Sequence, residues 1–135
     1  MEKRAIKFRA WEPKYKLFLT DFKYPNGHSA IWIKASEGKA YHLQFDGESD
    51  ISYDDASFCN VVLQQFTGLL DKNGKEIYEG DICSNDVAKW EVVFDRGCFS
   101  AKHIKHNTPT HLALRAIKGI EIIGNIFENP ELLTD

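Results

Sequence analysis

The sequence feature that most constrains the fold is the stretch from Phe66 to Ile82, which reads FTGLLDKNGKEIYEGDI. It combines segments rich in β-branched and aromatic residues with two turn signals. Asn73-Gly74 is the stronger signal, because both central residues of a type I′ turn have positive φ, which Asn tolerates and Gly adopts without steric cost. Gly80-Asp81 indicates a second turn. The stretch therefore predicts a β-hairpin followed at once by another strand.

Turn signals of the same kind divide the rest of the chain into short segments that alternate apolar and polar residues or are rich in aromatics. These segments predict strands over 6–11, 15–22, 30–33, 41–45, 61–66, 91–94, 98–100, 112–118 and 119–127. Asn129-Pro130-Glu131 predicts a short C-terminal helical turn, with Asn at the N-cap and Pro in the first helical position. Gly124 and Asn125 are predicted to be turn residues. The fold class is therefore all-β.

The predicted organisation is an irregular N-terminal β-meander over 1–60 followed by a C-terminal β lobe over 61–135. The strand patterns also indicate which apolar residues of the C-terminal lobe point inward. The residues expected to face its core are Ile77, Ile82, Val93, Ile122 and Ile126.

The length and the cysteine content limit which classes of protein the chain can belong to. A chain of 135 residues can bury a sufficient core without disulfides. Its three cysteines are an odd number, and no apolar run is long enough for a signal peptide or a membrane span, so we expect free buried thiols in the cytoplasm and no membrane contact. A formal net charge of −3 gives no overall electrostatic case for nucleic acid.

One local charge pattern differs from that average, because no acidic residue occurs between residues 96 and 120. Five fixed positive charges lie in this span: Arg96, Lys102, Lys105, Arg115 and Lys118. A basic strand pair can follow a phosphate backbone, and each contact adds salt-dependent affinity. Alternatively, these side chains meet the acidic segment 46–55 of the same protein. Nucleic-acid binding is therefore the second functional hypothesis and is not favoured.

The N-terminal meander carries an excess of large apolar and aromatic side chains, more than one thin sheet covers by itself. Short strands also leave unpaired edges that a second copy can satisfy. We therefore expect a homo-oligomer with Phe18, Phe22 and Trp32 in its interface. The competing interpretation is a monomer in which these aromatics pack on the C-terminal lobe.

No pattern in the sequence points to catalysis, a cofactor or a metal. His103, His106 and His111 lie close together but lack further ligands at regular spacing. The acidic segment beginning at Asp46 lacks the sixth-position Gly and twelfth-position acid of a calcium loop. Nucleophile-elbow and phosphate-binding glycine patterns are absent, and Glu79 and Asp81 are expected to bond to their own backbone. We therefore predict that the protein is not an enzyme.

Three blocks in order carry a family resemblance: FRAW at 8–11, QFTGL running into DKNGKEIYEGDI at 65–82, and IGNIFENPELL at 123–133. Together they resemble the YopX family of phage and prophage proteins. The resemblance implies a bacteriophage-encoded protein with an SH3-like β-barrel in its C-terminal half, an irregular β N-terminal part and self-association. It implies no reaction. The expected function is a non-catalytic accessory protein in the bacterial host, self-associating or binding a host or phage protein.

Overall fold

A computed structural model describes residues 3, 5–13, 16–19, 23–24, 27–34, 36, 39–46, 59–105 and 111–134. The predicted all-β class is confirmed, because these residues form twelve strands and two short 3₁₀ turns. The strands are β1 Phe8–Glu12, β2 Leu17–Leu19, β3 Lys23–Tyr24, β4 Gly27–Lys34, β5 Lys39–Asp46, β6 Cys59–Leu70, β7 Glu76–Tyr78, β8 Asp81–Ser84, β9 Lys89–Asp95, β10 Cys98–His103, β11 His111–Ala113 and β12 Glu121–Asn125. The 3₁₀ turns are Leu114–Ala116 and Pro130–Leu133.

The chain forms two compact units. The N-terminal unit is Arg9–Leu63, and the C-terminal unit combines Met1–Phe8 with Gln64–Asp135. The two units divide within β6, between Leu63 and Gln64, and the first eight residues group with the C-terminal unit.

In the N-terminal unit the strands follow the order β2-β1-β6-β5-β4-β3. β4 and β5 form an antiparallel pair along their full lengths, from Gly27 opposite Asp46 to Lys34 opposite Lys39. β1 and β2 form another hairpin, in which Trp11 lies opposite Phe18. Their rings meet edge to face with centroids 5.0 Å apart, so aromatic packing fixes this pair of strands.

In the C-terminal unit five antiparallel strands follow the order β11-β10-β9-β8-β12, while β7 pairs with β6. Alternate residues of these strands face a common apolar core. The buried members of that core are Ile77, Cys83, Trp90, Val92, Ala101, Leu114 and Ile120.

All five predicted core positions are at least partly buried. Ile77 and Ile82 are fully buried, and Ile122 packs against the core. Val93, however, is only half-buried, and its neighbour Val92 occupies the core. The inward prediction for Val93 was wrong because two consecutive valines have the same strand propensity, and only the pairing of β9 with β10 decides which one faces inward.

The loop between β6 and β7 differs from the two-residue type I′ turn predicted at Asn73-Gly74. Leu70 lies opposite Glu76, so five residues, 71–75, form the connection. Gly74 has a φ of 81° and donates to the Asp71 carbonyl at 3.0 Å, but Asn73 does not have positive φ. The reason is the Asp71 carboxylate, which accepts from the backbone N–H groups of Asn73 and Lys75 and favours a wider turn.

Positive φ at both central residues occurs instead in the β9–β10 hairpin. Arg96 has a φ of 50° and Gly97 a φ of 78°, and Asp95 pairs with Cys98. These are the features of a two-residue type I′ hairpin. The basic residue Arg96 therefore occupies a left-handed backbone position.

The C-terminal segment folds back through β12. The register shifts between Ile122 and Gly124, and the Asn125 side chain then accepts from the backbone N–H groups of Phe127 and Glu128 at 3.0 and 2.9 Å. The helical turn begins after Asn129, whose side chain makes no N-cap bond and accepts from the Asn125 N–H at 3.3 Å. Gly124 and Asn125 thus lie at the junction between strand and turn.

Among the described residues no helix is long and apolar enough to cross a membrane.

Candidate nucleic-acid, self-association and ligand surfaces

The five basic residues singled out by the sequence are all exposed. Arg96 lies in the β9–β10 turn, Lys102 on β10, Lys105 just beyond β10, Arg115 in the first 3₁₀ turn, and Lys118 after it. Each positive charge is therefore accessible to a solvent-borne ligand.

These charges do not converge on one patch. Arg96 and Lys105 lie at opposite ends of β10, which has six residues and so spans about 20 Å. Lys102 stands opposite Glu91 in the β9–β10 register, so an acid faces it across the strands. The Arg96 side chain lies 3.8 Å from Asp95. The span from residue 96 to residue 120 therefore contains no acid in sequence, but acidic side chains from neighbouring positions lie beside its positive charges in the folded protein. The acidic segment 46–55 lies almost wholly outside the described residues.

Of the three residues expected in an oligomer interface, the structure describes the side chain of Phe18 alone. Phe18 is half-buried, packs against Trp11 and has the Arg9 guanidinium 4.5 Å from its ring centre. Trp32 lies in β4, but its side chain is outside the described part of the chain, as is all of Phe22. Next to Phe18, Leu17 is 41% exposed on β2. Leu17 is therefore an accessible apolar side chain in this region that the sequence reasoning did not single out.

The histidine cluster is only partly described. His103 is half-buried, its ring meets Trp90 edge to face with centroids 6.0 Å apart, and its Nδ1 accepts from the Lys105 N–H at 3.1 Å. His106 lies outside the described residues, as does the side chain of His111. Among the described residues no three His, Cys, Asp or Glu side chains cluster as a metal site requires.

Glu79 and Asp81, the two acids beside Gly80, bond to backbone groups. Glu79 accepts from the Gln65 N–H at 2.9 Å, and Asp81 accepts from the Tyr78 N–H at 2.8 Å. Asp81 is also buried. Both carboxylates thus hold the turn between β7 and β8.

A cleft that the sequence did not predict lies between the β8–β9 turn, residues 84–89, and the end of β10. Its volume is about 230 Å³, and His103 and Lys105 form its other wall. Within the turn, Asn85 Oδ1 accepts from the N–H groups of Val87 and Ala88 at 2.9 and 3.0 Å. Sequence reasoning missed the cleft because it depends on the cross-strand pairing of His103 with Trp90.

Three comparisons place the chain among known proteins. A model of the family described as "YopX protein" matches residues 7–134. The crystal structure of protein EF1440 from Enterococcus faecalis is 30% identical, with a TM-score of 0.54 over 97% of this chain and 99% of that one. The structure of protein yopX from Bacillus subtilis has a TM-score of 0.55 over 96% and 98%, and its 20% identity shows likeness of fold alone. No curated protein matches the chain.

Proposed function

The chain belongs to the YopX family, and from this premise we propose that it acts as a non-catalytic, self-associating phage or prophage accessory protein. It works in the cytoplasm of the bacterial host. Its contacts are made through the N-terminal unit, with further copies of itself and with a host or phage protein.

The observation that carries this proposal is the edge strand β2. Among the described strands β2 pairs only with β1, so its outer backbone groups are those of a sheet edge. Leu17 is 41% exposed and therefore presents an apolar side chain on this outermost described strand. An edge of this kind is suited to strand addition by a second copy.

The neighbouring aromatic contacts support an ordered edge. Phe18 is held between the Trp11 ring and the Arg9 guanidinium, so the backbone of β2 is fixed before association. A preorganised edge loses less conformational entropy when a partner strand binds. Phe22 and Trp32 complete the proposed interface.

For the C-terminal unit we propose an SH3-like barrel that serves as the stable scaffold. Backbone hydrogen bonds outside the regular ladders support it, since they join elements that a barrel brings together. Gly80 N–H donates to Val92 at 2.7 Å, and Ile126 N–H donates to Gly80 at 2.9 Å.

Light scattering after size exclusion tests the self-association. We expect the 15.5 kDa chain to elute at a multiple of its mass at tens of micromolar, and Leu17→Glu to lower that mass. Val87→Glu is the matched control, because Val87 is an aliphatic side chain that is 89% exposed in the C-terminal unit. A monomeric wild type, or equal effects of the two substitutions, would contradict the proposed interface.

Weak nucleic-acid binding is the second candidate, favoured by the exposure of all five basic side chains. Fluorescence anisotropy with a mixed-sequence oligonucleotide at low and moderate salt tests it. Binding should weaken as salt rises and weaken further in the Lys102, Lys105, Arg115 triple Ala variant. No binding at low salt, or binding that is unchanged in the variant, would remove this candidate.

A further inference from the structure

We propose that Asn73 is a site of spontaneous deamidation, and that the hydrogen bonds of the β6–β7 loop control how fast this modification occurs. The site lies in the C-terminal unit and does not depend on self-association. The chain modifies itself through its own backbone and water, so the reaction needs no enzyme, cofactor or partner.

The sequence places a reactive pair of residues in this loop. Deamidation of an asparagine begins with attack by the backbone nitrogen of the next residue, and glycine hinders that attack least because it has no Cβ. The chain has two Asn-Gly pairs, Asn26-Gly27 and Asn73-Gly74. Asn26 lies outside the described residues, whereas both members of the second pair are described and exposed. Water can therefore reach Asn73 and Gly74.

The reaction balances with water as its co-reactant. The Gly74 nitrogen forms a bond to Cγ of Asn73 and gives up its proton, the bond from Cγ to Nδ2 breaks, and Nδ2 takes a proton and leaves as ammonia. Water then adds to one of the two carbonyl carbons of the resulting cyclic imide. Opening at one carbon gives aspartate, and opening at the other gives isoaspartate, in which the chain runs through the former side chain.

The folded loop restrains the attacking nitrogen. The Gly74 N–H donates to the Asp71 carbonyl at 3.0 Å, and it loses this hydrogen bond when it gives up its proton. On either side of it, the N–H groups of Asn73 and Lys75 donate to the Asp71 carboxylate at 2.8 and 2.9 Å. These three bonds fix the backbone on both sides of the pair. Closure of the imide ring therefore requires the loop to open.

The Asn73 side chain is restrained at the group that must leave. Its Nδ2 donates to Oε1 of Glu121 at 3.1 Å, which directs the amide toward β12. Hydrogen bonds from Lys72 and Asn73 hold the pKa of Glu121 below its ordinary value, so this acceptor is ionised at neutral pH. The contact is exposed to solvent, so it should restrain the pair less than the backbone bonds do.

Deamidation should weaken the contact between the loop and β12. The new carboxylate at position 73 cannot donate to Glu121 and repels it instead. In the isoaspartate product the extra backbone carbon also lengthens the loop 71–75. We therefore expect the modified chain to unfold at a lower urea concentration than the unmodified chain.

The test follows deamidation of the full chain at one mildly alkaline pH and one temperature, both folded in buffer and unfolded in urea. Mass spectrometry of chymotryptic peptides measures the conversion at Asn73. The folded chain should react about tenfold more slowly or less, because several hydrogen bonds must break before the ring can close. Ion exchange then separates modified from unmodified chains by the added negative charge, and the urea midpoint of each fraction is measured.

Two variants remove the restraints separately. Glu121→Ala frees the Asn73 amide and should raise the folded rate about threefold, whereas Asp71→Ala frees the backbone N–H groups and should raise it about fivefold or more. Each folded rate is divided by the rate of the same variant in urea, which removes effects of the changed sequence. Val92→Ala is the control, because Val92 is a core residue outside the loop, and its normalised rate should equal that of wild type. Glu121→Ala changes a partly exposed residue, so it decides the question even where Asp71→Ala does not fold.

Three results would overturn the proposal. These are equal rates at Asn73 in the folded and unfolded chain, normalised rates in both loop variants that match Val92→Ala, and equal urea midpoints for the modified and unmodified fractions. Faster reaction in the two loop variants but not in Val92→Ala would assign the control of deamidation to the loop and not to global stability.

Discussion

The Asp71 carboxylate accepts a hydrogen bond from the backbone N–H of Ile122 at 3.1 Å, across 51 residues of sequence. The same carboxylate accepts from the N–H groups of Asn73 and Lys75 at 2.8 and 2.9 Å. One buried side chain therefore shapes the β6–β7 loop and attaches it to β12. An exposed ion pair between Lys72 and Glu121 at 2.8 Å joins the same two elements.

The first prediction concerns the stability contributed by Asp71. Asp71→Asn replaces one carboxylate oxygen with an NH₂ donor, so a backbone N–H loses its acceptor. We expect the free energy of unfolding to fall by about 1–3 kcal/mol, the cost of leaving a buried polar group unpaired. Urea denaturation measures the change. Asn73→Ala is the control, because its exposed amide contact with Glu121 should be worth only a few tenths of a kcal/mol. Equal losses of unfolding free energy in the two variants would contradict a stabilising role for the hydrogen bonds that the buried Asp71 carboxylate accepts.

The second prediction concerns acid stability. Burial tends to raise the pKa of Asp71, but the backbone donors of Lys75, Ile122 and Asn73 outweigh it and hold the pKa below its ordinary value. A carboxyl with a depressed folded pKa contributes stability above its unfolded pKa, about 3.9 for Asp, and loses that stability as pH falls through the folded pKa. Hydrogen bonds from Lys7 and Lys72 depress the pKa of Glu76 and of Glu121 in the same direction.

Urea midpoints measured from pH 6 down to pH 2 check this prediction. The wild-type midpoint should decline below about pH 4, and the decline should be shallower in Asp71→Asn, which lacks the titrating carboxyl. An identical pH profile in the two proteins would show that the Asp71 pKa is the same in the folded and unfolded states.

The sequence was sufficient to predict the all-β class and most strands, because alternation and turn residues are local signals. The β6–β7 turn was predicted incorrectly because the Asp71 carboxylate accepts from the N–H groups of Asn73 and Lys75 and favours a wider turn than Asn73-Gly74 alone predicts. The choice between Val92 and Val93 depends on cross-strand register. The cleft beside His103 was missed for the same reason, since Trp90 and His103 are neighbours only after β9 pairs with β10.

The third prediction concerns Gly80, which has a φ of 82°. A Cβ at this position would overlap the Gln64 amide, with the Gln64 Cδ only 2.8 Å away, and Gln64 is itself buried. Gly80→Ala should therefore cost about 2–4 kcal/mol, from left-handed backbone strain together with overpacking. Thermal or urea unfolding measures the cost.

Gly74→Ala is the matched control for Gly80, since Gly74 has a φ of 81° and no atom within 4 Å of its would-be Cβ. That variant should show the backbone strain alone, about 1–2 kcal/mol. Adding Gln64→Ala to Gly80→Ala should relieve the steric part, so the two substitutions should be less than additive. Strict additivity would mean that the Gln64 side chain moves aside freely.

The fourth prediction concerns Arg96, whose φ of 50° places a long side chain in a left-handed position. Asn tolerates this conformation, and Asn-Gly is the preferred pair in type I′ hairpins. Arg96→Asn should therefore raise the free energy of unfolding by about 0.5–1 kcal/mol, because the short polar Asn side chain can hydrogen-bond locally in the left-handed conformation. Arg115→Asn removes the same charge where φ is not positive, and should give no gain. A gain in both variants would assign the effect to charge.

The fifth prediction separates two cysteines by reactivity. Burial raises the pKa of the Cys83 thiol to about 12, and its side chain is inaccessible in the core, so it should resist alkylation in the folded protein. Cys98 is exposed beside the β9–β10 turn, contrary to the expectation that the thiols are buried, and should react under the same conditions. Iodoacetamide labelling followed by peptide mass spectrometry measures both sites in one sample.

Cys83 should become labelled only when urea unfolds the chain, and Asp71→Asn should lower the urea concentration at which this occurs. Labelling of Cys83 at the rate of Cys98 without urea would contradict the closed core of the C-terminal unit.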